Sequence, residues 1–223
     1  MTKLSFLAEK LPKCCEIDAF PISLCTESEQ QVLKDFLPEG KTVIVLAHHV
    51  KHSLEWVWFP LESERNNVTC AAGLHLKSEG QEIVSILENM DYHSLIIPYP
   101  GRCGIRFKDL ANKTGLGKIG DNFLFLHKEW GPWTQLQVIV TDTEISDNLP
   151  ACDAVCTHCG ACKAACPASV IKADTLLGAE CDNYQDKRDT EIGMQGSYVF
   201  KCEECVRACP IGDSPERIAI ANY

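Results

Sequence analysis

The chain has 223 residues, 45% of them apolar and 23% charged, with 21 Lys and Arg against 31 Asp and Glu for a net charge of −10. That is the balance of a globular chain able to bury a core, and no apolar run approaches the roughly 18 residues of a membrane helix. The N-terminal stretch MTKLSFLAEKLPKCCEID lacks the apolar core of a secretory signal, so a cytoplasmic protein with no membrane contact is expected.

Composition and element pattern divide the chain into residues 1–147 and 148–223. In the first part, residues 15–22 read as a short strand, and 26–37 as a helix capped by Thr26 and ended by Pro38-Glu39-Gly40. Residues 41–49, KTVIVLAHH, form a continuous apolar, β-branched strand covered on both faces. Residues 78–90 place Ile83, Ile86, Leu87 and Met90 on one helical face. Residues 94–100 and 134–142 read as strands, with a short helix over 107–114 between them. Beyond residue 150 the long periodic segments disappear and cysteines replace hydrophobes as the organising residues.

There are 14 cysteines, five before residue 148 and nine after it. In an unexported chain thiols stay reduced, so a cysteine array reads as metal-ligating or catalytic rather than as disulfides. Cys156, Cys159, Cys162 and Cys166, followed by Pro167, make C-x2-C-x2-C-x3-C-P, the run that binds [4Fe–4S] clusters in bacterial ferredoxins. Its fourth cysteine ligates the other cluster, so a second run must exist. Cys202, Cys205, Cys209 and Pro210 supply it, one thiolate short. The eighth ligand is Cys152 or Cys181; Cys181 is favoured because it lies on the segment joining the two runs. One cluster then takes Cys156, Cys159, Cys162 and Cys209, and the other Cys166, Cys181, Cys202 and Cys205. Paired zinc sites are the alternative, and the C-P endings weigh against them. The six remaining cysteines read as ordinary thiols; Cys14-Cys15, being adjacent, makes a poor metal or redox pair.

Gly115-Leu116-Gly117-Lys118-Ile119-Gly120 spells G-x-G-x-x-G. A dinucleotide fingerprint needs a strand before it and a helix opening within it. Here a helix precedes and an extended run follows, which favours a plain turn or a loop laid against a flat cofactor.

The block 109–122, with Gly131-Pro132-Trp133-Thr134-Gln135-Leu136, the strand 138–142 and the cysteine order, resembles the epoxyqueuosine reductases and their shorter relatives, a family related to reductive dehalogenases. Residues 36–46 are similar to that family's first core strand. The resemblance implies a nitroreductase-like α/β domain that binds base-off cobalamin, joined to a ferredoxin-like domain with two [4Fe–4S] clusters that reduce it. It implies Cys181 as the lone cluster ligand. It points to Lys108, Gly115, Leu116, Gly117, Lys118, Ile119, Gly120 and Asn122 as the cofactor-binding residues. The family carries an Asp before the glycine block, whereas residues 99–108 hold no carboxylate; Tyr99, Arg102 and Arg106 stand as candidates to donate a proton or orient an anion.

Trp56, Trp58, Trp130 and Trp133 are candidates for a corrin pocket or for a core. His48 and His49 end the central strand and read as core or rim residues, and His158 lies inside the cluster run. The expected function is a reductive reaction fed by a low-potential donor such as ferredoxin or flavodoxin, on a small-molecule or corrinoid substrate. Two alternatives are an electron-transfer activator of a separate corrinoid protein and a cluster-based redox sensor. Two clusters of charge −2 would take the chain from −10 to about −14, an argument against a tRNA substrate.

Overall fold

A computed structural model describes residues 2–60, 68–98, 104–191, 199–200 and 202–215. The chain begins with β1 (Thr2–Lys3), α1 (Leu4–Ala8), β2 (Cys15–Pro21), α2 (Glu27–Phe36) and β3 (Thr42–His49). There follow β4 (Val57–Pro60), β5 (Val68–Cys70), α3 (Ala71–Glu88), β6 (Ser94–Ile96) and α4 (Phe107–Ala111). Next come β7 (Gly117–Ile119), β8 (Phe125–His127), β9 (Thr134–Thr141) and β10 (Ile145–Ser146). The cysteine-rich part carries α5 (Ala161–Ala165), α6 (Gly178–Glu191), β11 (Val199–Phe200) and α7 (Glu204–Arg207).

The central sheet has the order β2-β3-β9-β6, and every neighbouring pair is antiparallel. Alternation along β3 decides what each face holds. Val43, Val45 and Ala47 pack with Leu33 of α2, Leu110 and Ala111 of α4, and Leu116. Ile44 and Leu46 pack with Leu4 and Leu7 of α1 and with Leu76, Ile83 and Leu87 of α3. The strand is therefore covered on both faces, as its unbroken apolar run implied.

Thr26 closes a capping box on α2 with Glu29. α3 starts seven residues before the expected Ser78, because Ala72 and Leu76 continue the buried stripe of Gly80, Ile83 and Leu87. Of the strand expected over residues 94–100, β6 takes Ser94–Ile96 and Ile97 N still donates to Val138 O at 2.9 Å, while residues 99 and 100 lie outside the described residues. α6 is a 14-residue helix in a region read as lacking long elements; its sequence, GAECDNYQDKRDTE, is polar all round and offers no apolar period.

The two parts of the chain share structure. β11 pairs with β4, Val199 opposite Trp58, and Val206 packs with Val50, Cys70, Ala72 and Trp133. Arg207 lies 5.0 Å from the Trp133 ring centroid and donates to Ser53 Oγ.

Buried Asp18 of β2 is the main polar tie beneath the glycine block. Its carboxylate accepts from Ala19 N at 2.8 Å, Gly115 N at 2.7 Å and Leu149 N at 3.0 Å. Burial pushes its carboxyl above the usual range, opposed by those N–H donors. Asp18→Ala leaves the donors without an acceptor and is expected to cost about 3 kcal/mol in urea unfolding, with Asp18→Asn costing less because one oxygen remains.

Asp147, at the end of the first part, ties down α1. It accepts from Leu4 N at 2.9 Å and from Ser5 Oγ at 2.6 Å, and these bonds hold its carboxyl below the ordinary value. A depressed folded value contributes stability above the unfolded pKa of about 3.9, lost as pH falls through the folded one. Thermal unfolding of wild type and Asp147→Asn is expected to differ at neutral pH and to converge in acid.

Candidate iron–sulfur and cofactor site

Cys156, Cys159, Cys162 and Cys209 line one small cavity, together with Asp121, Asn122, Gly160, Pro210 and Ile211. Cys162 sits on α5, whose first turn follows Gly160 at φ 77°. The turn before it brings His158 N to 3.4 Å from Cys156 Sγ, the amide-to-sulfur contact that supports a cluster thiolate. His158 Nδ1 lies 2.8 Å from Asp121 Oδ1, so its imidazole is turned to a carboxylate.

Cys166, Cys181 and Cys202 lie within electrostatic reach of Cys205, as does Cys162 of the first group. The Cys205 thiol is pushed up to about 12, first by burial and then by Cys202, Cys166, Cys181 and Cys162. A group of thiols that raise one another cannot all ionise without a compensating cation, and a cluster's iron core supplies that charge. The donor set thus fits the group. Cys181 rides on α6, where Gln185, one turn further on, accepts from the backbone N–H of Cys202. Gln185 escaped sequence reading; its only signal is the i, i+4 spacing from a cysteine on a helix without an apolar face.

A cavity of about 390 Å³ adjoins this second group. Trp56, Trp58, Phe107, Phe125 and Leu136 supply its apolar wall, Arg106 and Lys108 are its cations, and Cys202 lies at its edge. Trp56 Nε1 is buried and has no hydrogen-bond partner among the described residues. An orphaned donor on a flat apolar wall fits a large planar ligand with carbonyl groups at its rim, the description of a corrin. Arg106 Nε donates to Asp109 Oδ2 at 2.6 Å, while Lys108 Nζ donates to Phe123 O at 2.6 Å. Burial, then the neighbouring Arg106, lowers the Lys108 ammonium pKa.

Of the expected cofactor residues Lys108, Gly115, Leu116, Gly117, Lys118, Ile119, Gly120 and Asn122, Lys108 lines the large cavity and Asn122 the cluster cavity. The glycine block runs from α4 into the β7–β8 hairpin, the opposite order from a dinucleotide fold. Its glycines serve chain crossings: a β-carbon on Gly115 would lie 2.3 Å from Pro150 O, and one on Gly117 2.0 Å from Leu126 O. Leu116 is core, and Lys118 Nζ donates to Asn112 O. Tyr99 and Arg102 lie outside the described residues. Of the four tryptophans, Trp56 and Trp58 line the cavity, Trp130 stacks with His49 and His127, and Trp133 is fully buried beneath Arg207.

No protein-family model matches the chain. Its mixed helix and strand fold is similar to that of epoxyqueuosine reductases and of a reductive dehalogenase. In sequence it is similar to the epoxyqueuosine reductase of Aliivibrio fischeri, 28% identical over 155 residues, which are 66% of this chain and 40% of that protein. It is also similar to that of Lactococcus garvieae, 32% identical over 109 residues, 45% of this chain and 30% of that protein. The chain thus spans less than half the length of these relatives.

In structure it is similar to epoxyqueuosine reductase from Streptococcus thermophilus, with a TM-score of 0.66 and 19% identity, covering 98% of this chain and 68% of that one. A reductive dehalogenase described as B12-dependent matches with a TM-score of 0.52 and 18% identity over 77% of this chain and 26% of that one. Another epoxyqueuosine reductase structure, at TM-score 0.67 and 14% identity over 98% of this chain and 66% of that one, holds a tRNA-Tyr stem loop. The charge argument against tRNA therefore finds no support among these neighbours. Among the described residues no helix is long and apolar enough to cross a membrane.

Proposed function

We propose that the chain is an iron–sulfur oxidoreductase that holds a corrinoid in the cavity walled by Trp56 and Trp58, and that it belongs in activity with the epoxyqueuosine reductase-like reductases. The observation that carries this reading is Cys202, which lines the cavity and lies within electrostatic reach of Cys205. When bound, the clusters supply one-electron steps and the corrinoid a reducible cobalt centre for the substrate reaction.

The chain's own residues prepare that chemistry. Cys156, Cys159, Cys162 and Cys209 would hold the outer cluster, and the exposed Cys159 marks the face where a low-potential ferredoxin or flavodoxin would deliver electrons. Cys166, Cys181, Cys202 and Cys205 would hold the inner cluster against the cavity. Trp56 and Trp58 offer flat faces, and Trp56 Nε1 offers a donor to an amide carbonyl of the ligand. Arg106 would orient an anionic substrate group. The apolar wall excludes water from the reacting centre.

Trp58→Ala tests the placement. It is expected to weaken corrinoid binding about tenfold, the loss of one aromatic contact worth roughly 1.4 kcal/mol, while iron content stays unchanged. Unaltered binding in the variant would move the corrinoid elsewhere. Wild-type protein with full iron and no corrinoid affinity would overturn the reading in favour of an activator that docks on a separate corrinoid protein.

A further inference from the structure

On the α3 side of the central sheet, away from the cluster cysteines, a cavity of about 400 Å³ is lined by Cys14, Cys15, His48, Glu55, His75 and Glu79 among others. We propose that this is a second metal site, in which Cys14 Sγ, Cys15 Sγ and His48 Nδ1 hold one divalent cation of the zinc type, with a fourth position facing the cavity. It stands independently of the corrinoid reading.

The register of two strands builds it. Cys15 of β2 is paired directly opposite His48 of β3, so both side chains point to the same face. Cys14 precedes the strand, in a turn closed by Cys15 N donating to Pro12 O at 2.8 Å, and His49 N donates to Cys14 O at 2.8 Å. That turn defeats the alternation that would send adjacent side chains to opposite faces. The two sulfurs and a ring nitrogen of His48 all lie within 4.8 Å of one another, and Cys15 Sγ is 3.5 Å from His48 Nδ1. A tetrahedral zinc with its usual bond lengths spaces such donors roughly 3.3–3.8 Å apart, so only small side-chain rotations close the site.

The surroundings also match a metal-binding histidine. His48 Nε2 lies 2.7 Å from Glu55 Oε2. That carboxylate is itself fixed, its other oxygen accepting from His52 N at 3.0 Å and Lys51 N at 3.2 Å. A carboxylate on one ring nitrogen sets the tautomer that presents the other as a lone pair to the metal. Here the other nitrogen faces the thiols. His75 stacks on His48 with centroids 5.8 Å apart, and Glu79 lies one turn further along α3; a water in the cavity can complete the four-coordinate set. Two thiolates and an imidazole suit a borderline-soft ion and do not suit magnesium or calcium.

The test uses the full chain, purified anaerobically, loaded with iron and then equilibrated with zinc and dialysed. About one zinc per chain is expected in addition to the iron. Cys14→Ser, at a half-buried position, and Glu55→Gln, which leaves all three ligands in place, are each expected to weaken zinc at least about tenfold in competition with a chelator, with iron content unchanged. Cobalt(II) as the probe should show thiolate-to-metal charge-transfer absorption that Cys14→Ser diminishes. No zinc above the iron-loaded background would overturn the proposal. So would equal zinc affinity in wild type and both variants, or zinc that is lost only when iron is lost.

Discussion

Gly131→Ala is expected to lower stability by about 2–5 kcal/mol and to loosen the cluster proposed at Cys209. Gly131 has φ 57°, where a side chain costs about 1–2 kcal/mol. A β-carbon there would also lie 1.9 Å from Ile211 O, two residues past Cys209, and forced overpacking adds roughly 1–3 kcal/mol. The contact is reciprocal, for a β-carbon on Gly212, at φ 74°, would lie 2.4 Å from the Trp130 carbonyl carbon. At roughly 2–4 °C per kcal/mol for a chain of this size, the melting temperature is expected to fall by about 4–20 °C. Iron should leave the variant faster under chelation. Gly178→Ala is the control: nothing lies within 4 Å of its added carbon, and no loss is expected. Equal melting temperatures for Gly131→Ala and wild type would mean that the two backbones do not meet as described.

The second large effect separates the two cysteines that compete for the eighth ligand position. Cys181→Ser is expected to remove the inner cluster, leaving about half the iron and abolishing electron delivery to the cavity. Cys152→Ser is expected to leave iron content and absorbance unchanged. Cys181 is within electrostatic reach of Cys205, alongside Cys166 and Cys202, and its helix is tied to Cys202 through Gln185. The opposite pattern, with iron lost from Cys152→Ser and kept in Cys181→Ser, would reverse the assignment. Measuring iron against protein in both variants, beside wild type, decides it.

Which parts of this molecule are legible in sequence follows from how local their causes are. β3 is legible because five consecutive residues, Val43 to Ala47, are apolar, as a strand covered on both faces requires. α2 is legible because its capping box lies within four residues. The thiols that meet across the fold are legible too, since C-x2-C-x2-C-x3-C-P carries its geometry in its spacing. The cavity is not, because its wall comes from Trp56, Phe107, Phe125, Leu136 and Cys202, residues far apart in sequence that the antiparallel sheet and β11 bring together. The packing of the glycine block is not legible for a related reason. Gly115 and Gly117 are small to let Pro150 and Leu126 pass, and those crossings leave no mark on the spacing. Cys14, Cys15 and His48 look ordinary in sequence, since a strand predicts opposite faces for adjacent residues and only the Pro12 turn brings the two thiols together. α6 was hidden by having no apolar face to display.

The central claim is that one chain couples two iron–sulfur clusters to a corrinoid through Cys202. Its most direct test is the iron and cobalt content of the anaerobic full-length protein after incubation with cobalamin and removal of free ligand. About eight iron atoms and one cobalt per chain are predicted, with the cobalt falling in Trp58→Ala while the iron does not. Full iron with no retained cobalt, or zinc in place of iron at the cysteines, would contradict it.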